Sequence, residues 1–432
     1  MRTLVDSVAI RRSARPGPRP RYLSLVDFGA DSVKAAVVRR EEGGVRLLGY
    51  GVASAQGADL TGGRAAVAAL VRAADQALVA AEDQTEPAPA GSGPASGKIV
   101  PDDAIFGLPA RLTRGQSFST HQSRPEGGAP ITARELKAAW GRLERTAREQ
   151  LARLDQEGNR WQPLAVVPGI TLVDGRQVTD PVGMKGQVLS LSVFGVAVWP
   201  SVLRAATAVA KGLEVALLDV AAGAQALAAL VPQREAILIE IGWQGTSLSL
   251  IRNDALVATR SWGQGGAYFT DALSEAFCCP ADEAEGLKRT YAGGALSARD
   301  SQLVARALAA PLAGWFESLI GVLGQVAEDD VTRTMSPQGI DPAEGAAHPA
   351  DYALPGHIYL TGGGSWLPGL APALAAIEMV PRLRFRRAVE IESLGRNLGA
   401  RLPNRPVLLD VPAQPASDLL APVLSLATCM GS

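Results

Sequence analysis

Cysteine and histidine are scarce in this chain, with three of each among 432 residues. Cys278 and Cys279 are adjacent, Cys429 stands alone, and no Cys-x-x-Cys or Cys/His spacing occurs. Disulfide scaffolds and structural zinc sites depend on such spacings, so the sequence predicts neither. We interpret the adjacent pair as small apolar residues of a helix. The lack of a disulfide pattern is typical of a protein of the reducing cytoplasm.

An excess of charge of one sign is also lacking. The chain has 42 Lys and Arg against 43 Asp and Glu, a net charge of −1. Because nucleic-acid binding depends on a basic surface, we expect no nucleic-acid partner. The 47% hydrophobic content indicates a globular protein, and its length exceeds what one hydrophobic core supports. We therefore expect two or more lobes.

Long hydrophobic runs are missing too. The best apolar run, 189–199, is about half the length that a membrane-spanning helix needs, so we expect no transmembrane segment. Residues 1–21 lack the continuous apolar core of a signal peptide. Apolar residues recur there at i, i+3, i+4 and i+7 from Met1, ahead of an arginine-rich stretch. Two interpretations stay open: a disordered leader, or a short membrane-surface helix with a basic flank.

Three segments share one sequence pattern, in which an apolar strand ends at a glycine-rich turn. They are YLSLVDFGADSVKAAVV (22–38), ILIEIGWQGTSLSLIR (237–252) and HIYLTGGG (357–364). The second repeats the order of the first: strand, acidic residue, glycine turn, second strand. This internal repeat predicts two similar lobes, each with its own glycine-rich turn.

Glycine turns of this kind suit phosphate binding. They expose successive backbone N–H groups, and no side chain blocks the approach of phosphate oxygens. Asp27, at the end of the first strand, is placed to hold the water shell of Mg²⁺, and Lys34 would lie near the same charge. One such turn alone also fits an ordinary hairpin. The three in order favour a nucleotide held between the lobes.

The same segments resemble the phosphate-1, phosphate-2 and adenosine motifs of the actin-like ATPase superfamily. Within it, the sequence is most similar to bacterial FtsA. The residues that carry this second resemblance are VDGRQVTDPVGMKGQVLSL (173–191), GGAYFTDALSEAF (265–277) and ADEAEGLKRTYAGG (281–294).

The resemblance implies an α/β, two-lobed actin-like fold, built from duplicated ribonuclease-H-like units, with a small α+β domain called 1C inserted in lobe I. The implied parts are a basic N-terminal extension (1–21), lobe I (22–100), the inserted 1C domain (101–180), lobe I again (181–235), the sheet of lobe II (236–264), its helical part (265–328), a loop or insertion (329–356), the adenosine segment of lobe II (357–380) and a return to lobe I (381–432).

The resemblance also implies site residues for ATP and Mg²⁺. By residue number these are Gly29, Ala30, Ser32 and Lys34 at phosphate-1; Gly242, Gly245 and Thr246 at phosphate-2; Gly265 and Gly266 after it; Glu285 and Lys288 near the ribose and base; and Gly362, Gly363 and Gly364 at the adenosine. Asp27 would act on the metal through water, and Asp219 is a weak candidate for orienting an attacking water.

Several positions depart from the family pattern. Ala30 replaces a hydroxyl residue, Glu240 replaces an aspartate, and Trp243-Gln244 stands where Gly-Gly is common. We therefore expect ATP binding with slow hydrolysis or none.

FtsA-like proteins form actin-like protofilaments and tether FtsZ to the membrane at midcell. The resemblance thus implies self-assembly, FtsZ or another divisome protein as partner, and a cytoplasmic protein at the inner face of the membrane. The C-terminal LLAPVLSLATCMGS is interpreted as a helix of lobe I rather than the usual membrane anchor. Three interpretations stay open: anchoring through 1–21, anchoring through a partner, or no tethering role. Two alternatives remain: a PilM-like adaptor of type IV pilus assembly, and a sugar or acetate kinase on the same fold.

Overall fold

A computed structural model describes residues 21–55, 57–85, 98–124, 128–156, 159–335, 353–400, 406–414 and 416–431. The predicted extension 1–21, except Arg21, and most of the predicted loop 329–356 lie outside these residues. The strands are β1 (Tyr22–Phe28), β2 (Ser32–Glu41), β3 (Gly44–Ser54), β4 (Asp103–Leu108), β5 (Thr113–Ser123), β6 (Asp155–Gln156), β7 (Asn159–Arg160), β8 (Gln162–Val173), β9 (Arg176–Gln177), β10 (Val188–Val198), β11 (Ala216–Ala222), β12 (Ala236–Ile241), β13 (Thr246–Arg252), β14 (Ala255–Trp262), β15 (His357–Thr361), β16 (Glu390–Ser393) and β17 (Val407–Leu409). The helices are α1 (Arg64–Glu82), α2 (Ala133–Ala152), α3 (Pro200–Gly212), α4 (Gly223–Ala228), α5 (Gly266–Phe277), α6 (Ala281–Ala292), α7 (Ala298–Met335), α8 (Leu370–Ala375) and α9 (Ala416–Ser425).

Lobe I is built on a six-stranded sheet in the order β11-β4-β1-β2-β3-β17. β1, β2 and β3 form the antiparallel meander that their alternating and buried apolar residues predict, and Asp27 pairs with Lys34 across the first turn. β4 adds in parallel to β1. The alanine-rich α1 buries Leu70, Ala74 and Leu78 against this sheet, so its apolar stripe forms a core of the lobe.

Lobe II repeats the arrangement with a five-stranded sheet in the order β14-β13-β12-β15-β16. β12 and β13 form the second hairpin, and β15 lies parallel to β12 on the other side. The core of this lobe packs β12 and β13 against α5 and α7, with Phe269, Trp315 and Leu319 fully buried. The internal repeat in the sequence thus corresponds to two sheets of similar construction.

The inserted domain has a four-stranded sheet in the order β5-β10-β8-β9, with α2 packed on it. Its bounds differ from the expected 101–180. β4 was expected to open the insert, but it pairs with β1 inside lobe I. β10 was expected in lobe I, but it pairs with β5 along its whole length. An apolar run can fill a place in either sheet, because its partner strand, not its own pattern, decides where it pairs.

The chain also returns to lobe I later than the expected 381. β16 pairs in parallel with β15 and therefore still belongs to lobe II. The first strand back in the lobe I sheet is β17, which pairs with β3. α9 then packs into the lobe I core. The chain consequently crosses back from lobe II to lobe I after Ser393.

α7 is one continuous helix and contains a proline at position 311. A proline removes only one helical hydrogen bond, and packing against the lobe II sheet supports the helix on both sides of it. Within the described residues, the part Ala298–Glu328 is long and apolar enough to span a membrane by length and composition alone, against the expectation of no such segment. One of its faces, however, is buried in the core of lobe II.

Candidate functional site

A cleft of about 910 Å³ lies between the two lobes, where three glycine-rich turns meet. The β1–β2 turn comes from lobe I, the β12–β13 turn from lobe II, and the third turn follows β15. α6 of lobe II closes one side. The residues predicted for the site that line this cleft are Asp27, Gly29, Ala30, Ser32, Lys34, Gly242, Gly245, Thr246, Gly266, Glu285, Lys288, Gly362, Gly363 and Gly364.

Two predicted residues do not line it. Asp219 lies on β11, and its Oδ1 accepts a hydrogen bond from the backbone N–H of Val220 at 2.8 Å. It is not among the described residues that line the cleft, and its water-orienting role stays a prediction. Gly265 lies behind the β12–β13 turn rather than in the cleft, because the turn packs directly onto its backbone.

The lobe I turn presents a buried ion pair. The Lys34 Nζ lies 3.4 Å from Asp27 Oδ2, and both side chains are about one-tenth exposed. Their antiparallel pairing on β1 and β2 fixes this approach. Burial raises the pKa of Asp27, and the neighbouring ammonium of Lys34 opposes that rise. Asp27 and Lys34 therefore form a buried ion pair at the base of the lobe I turn. The sequence predicted that these two residues would lie close together.

Glu240 faces this pair from lobe II. Burial, and then the negative charge of Asp27, raise the pKa of Glu240 to about 7. The Ser247 hydroxyl donates to its Oε2 at 3.1 Å. Two carboxylates, one from each lobe, thus oppose each other across the cleft, and their repulsion is relieved when one takes up a proton or when a cation lies between them.

This arrangement makes stability depend on pH. Below about pH 4.5 Glu240 is protonated in both the folded and the unfolded chain. As the pH rises from there to about 7, the unfolded chain releases a proton that the folded chain keeps, so folding becomes less favourable. We expect Glu240→Gln to raise the free energy of unfolding by about 2–3 kcal/mol at pH 8 relative to pH 5. Urea unfolding at both pH values measures it.

The control is Glu317→Gln, which removes a carboxylate that is 73% exposed on α7. Its effect should be the same at both pH values. An equal effect of Glu240→Gln at pH 5 and pH 8 would show that Glu240 titrates normally.

The lobe II turn is held by backbone hydrogen bonds to the start of α5. Within the turn, Gly242 N–H donates to Gly245 O at 2.9 Å, and Gly266 N–H donates to Gly242 O at 2.8 Å. The Thr246 hydroxyl donates to Gln264 O at 2.6 Å. The indole Nε1 of Trp315 donates to that same hydroxyl at 3.0 Å. The Thr246 hydroxyl therefore has two partners within lobe II, and Thr246 lines the cleft at the predicted turn.

Trp243 and Lys288 form the wall of the cleft on the lobe II side. The Lys288 ammonium lies 4.8 Å from the centre of the Trp243 ring, a cation–π distance. It also donates to Gly266 O and Thr270 Oγ1 and lies 2.6 Å from Glu285 Oε2. Burial lowers the pKa of Lys288, and Glu285 opposes this. The indole of Trp243 therefore packs against the Lys288 ammonium at the wall of the cleft.

The third turn depends on a left-handed backbone. Gly362 has φ of +85°, and a Cβ there would come within 2.5 Å of Ile241 O. A glycine is required for the chain to pass this close to β12. Trp366, a few residues further on, lines the same part of the cleft and is 38% exposed.

Sequence reasoning did not assign three charged residues of the cleft: Asp31, Arg111 and Arg289. The Arg289 Nη2 lies 3.3 Å from Asp31 Oδ2, which joins α6 to the lobe I turn over 258 positions of sequence. Arg111 pairs with Asp59. Asp31 lies in the predicted phosphate-1 segment and Arg289 in the segment 281–294, whereas no motif of the sequence included Arg111.

Among the described residues, no group of three or more His, Cys, Asp or Glu side chains could hold a metal ion. The role of Asp27 on Mg²⁺ through water stays a prediction.

Comparisons with known proteins give a fold and no closer relationship. No protein-family model matches the sequence, and no curated protein does. A solved chain of a PilM–PilN type IV pilus biogenesis complex matches with a TM-score of 0.61 and 18% identity, over 96% of this chain and 100% of that one. The ethanolamine utilization protein EutJ from Carboxydothermus hydrogenoformans matches at 0.43 and 14%, over 96% and 91%. A MamK double helical filament matches at 0.44 and 13%, over 94% and 99%.

The chain has the two-lobed actin-like ATPase fold, of mixed α/β class. The expected fold class is therefore confirmed.

Proposed function

We propose that this protein is a nucleotide-binding adaptor of a bacterial envelope machine, of the PilM kind, in which the state of the interlobe cleft controls the binding of a partner protein. The supporting observation is the extent of the fold match: the whole chain of the PilM–PilN complex superposes on nearly all of this one. The proposed partner is accordingly a membrane-associated component of that machine.

The cleft supports an adenine nucleotide as the ligand. Three glycine-rich turns line it, and the β1–β2 and β12–β13 turns have the same construction in the two lobes. Gly362 lets the third turn pass close to β12 at the edge of the cleft. Bound ATP would supply a phosphate chain and, with Mg²⁺, a charge that can neutralise Asp27 and Glu240. The backbone N–H groups of the turns would hold the phosphates, and Gly362, Gly363 and Gly364 would pack against the adenosine.

Hydrolysis is proposed to be slow or absent. Asp219, the residue predicted to orient the attacking water, does not line the cleft, and Trp243-Gln244 stands where Gly-Gly is common at phosphate-2. A turnover on the order of 1 per second or more would contradict this part of the proposal. A sugar or acetate kinase would need a catalytic acid beside its substrate, and no observation on the described residues favours that function.

An FtsA-like divisome adaptor is a second candidate, favoured by the segments DPVGMKG (180–186) and AEGLKRTYAGG (284–294). It would form protofilaments and hold FtsZ. In either case, contact with the inner face of the membrane through residues 1–21 remains part of the proposal, and it would be weak unless many copies act together.

A fluorescent fusion of the full chain in growing host cells, with and without residues 2–21, separates these functions. Foci at the poles or at pilus bases are expected for the PilM-like adaptor. A band at midcell would establish the FtsA-like one instead. A uniform signal from both forms would contradict any tethering role.

A further inference from the structure

The lobe I turn carries a carboxylate at its tip. Asp31 follows Gly29 and Ala30 in the connection between β1 and β2, and its side chain lines the cleft while remaining 41% exposed. Its backbone carbonyl accepts a hydrogen bond from Ala55 N–H at 2.8 Å, which fixes the turn on the end of β3. A fixed negative charge therefore lies in a turn whose backbone is otherwise suited to anions.

The basic side chains of the described residues that line the cleft are already paired with carboxylates, so none of them is left over to neutralise an added anion. Four basic residues line it, and in the described structure each is engaged by a carboxylate: Lys34 by Asp27, Arg111 by Asp59, Lys288 by Glu285, and Arg289 by Glu285 and Asp31. Four carboxylates also line the cleft, namely Asp27, Asp31, Glu240 and Glu285. An added phosphate chain consequently enters a site without surplus positive charge.

We propose that Asp31 sets the nucleotide preference of the cleft, by penalising each additional phosphate so that a triphosphate gains no affinity over a diphosphate. This rests on the proposed function, since it presumes that the cleft takes an adenine nucleotide. The physical reason is direct repulsion in a partly enclosed site, where charges a few ångströms apart interact more strongly than in water. The Asp31–Arg289 pair strengthens the effect, because it occupies a cation that would otherwise face the phosphates.

A different role for Asp31, as a magnesium ligand, would have the opposite consequence. Removing its charge would then weaken the binding of the magnesium nucleotide. A purely mechanical role, in which the Asp31–Arg289 pair holds the lobes closed, also differs: breaking the pair from either side would then have the same effect.

The test measures the affinity of the full 432-residue protein for adenosine, AMP, ADP and ATP by isothermal titration calorimetry, with and without Mg²⁺. Wild type is compared with Asp31→Asn, which keeps the shape and removes the charge, and with Arg289→Gln, which leaves the carboxylate unpaired. Glu317→Gln, an exposed carboxylate on α7 outside the cleft, is the matched control for loss of one negative charge.

We expect wild type to bind ATP no more tightly than ADP. Asp31→Asn should bind ATP at least tenfold more tightly than wild type, about 1.4 kcal/mol, and adenosine within twofold. Arg289→Gln should bind ATP at least threefold more weakly, and Glu317→Gln should match wild type.

Wild-type binding of ATP tenfold tighter than ADP would overturn the proposal, as would an unchanged ATP affinity in Asp31→Asn. A loss of affinity in Asp31→Asn that requires Mg²⁺ would identify a metal ligand, and a gain in both variants would identify a mechanical latch; either result also overturns it. No binding of any of the four compounds to any variant would contradict the nucleotide site itself, and with it the proposed function.

Discussion

Replacing Trp315 by alanine is expected to lower the free energy of unfolding by about 3–5 kcal/mol. The indole is fully buried in the core of lobe II, 6.2 Å from the ring of Trp262. Its Nε1 also donates to the Thr246 hydroxyl, at the first residue of β13. The substitution therefore opens a large cavity and removes a hydrogen bond that positions the lobe II turn. Urea unfolding measures the stability, and nucleotide titration measures the effect on the cleft.

Two further variants separate these contributions. Trp315→Phe keeps most of the volume but removes the N–H donor, and should cost about 1 kcal/mol plus a smaller packing loss. Leu303→Ala, on the same helix but 43% exposed, should change stability by less than 1 kcal/mol. A loss in Trp315→Ala no larger than that of Leu303→Ala would mean that α7 does not support the sheet as described.

Replacing Gly265 by alanine is expected to lower stability by about 1–3 kcal/mol and to reduce nucleotide affinity at least tenfold. A Cβ at this position would lie 2.5–2.6 Å from Gly242 O, Gly245 N and Trp243 O. All three are backbone atoms of the turn, so no side-chain rotation can relieve the contact. The turn must move away from the start of α5, and its N–H groups lose the positions from which they would bind phosphate.

Gly263 provides the matched control, two residues earlier in the same connection. A Cβ there meets nothing within 4 Å, so Gly263→Ala should leave stability and nucleotide affinity close to wild type. Stability and affinity are measured by thermal unfolding and calorimetry on both variants. If Gly265→Ala and Gly263→Ala bind nucleotide equally well, the packing of the turn on Gly265 has no part in forming the site.

Local pattern was enough to predict the parts of the fold that depend on neighbouring residues. The β1–β2–β3 meander, the helix α1 and the second hairpin at β12–β13 all follow from apolar periodicity and glycine turns over short stretches. The convergence of the three turns on one cleft was also predicted, because the repeated hairpins imply two similar lobes that face each other.

Features that depend on distant partners were not predicted. β10 has an apolar pattern that fits either sheet, and only its pairing with β5 and β8 assigns it to the inserted domain. The Asp31–Arg289 pair joins residues from different lobes, which no local pattern records. The hydrogen bonds of the Thr246 hydroxyl to Gln264 and Trp315 also join residues that are far apart in the sequence, which predicted only that Thr246 lies at the phosphate-2 turn.

Hydrogen–deuterium exchange of the full chain, with and without saturating Mg-ADP or Mg-ATP, tests the nucleotide site most directly. If the cleft binds nucleotide, backbone amides of the three turns, 28–32, 242–246 and 362–364, should exchange more slowly together, in wild type and in the Gly263→Ala control but not in Gly265→Ala. Unchanged exchange at all three turns, or protection confined to a surface away from the cleft, would contradict a nucleotide site between the lobes.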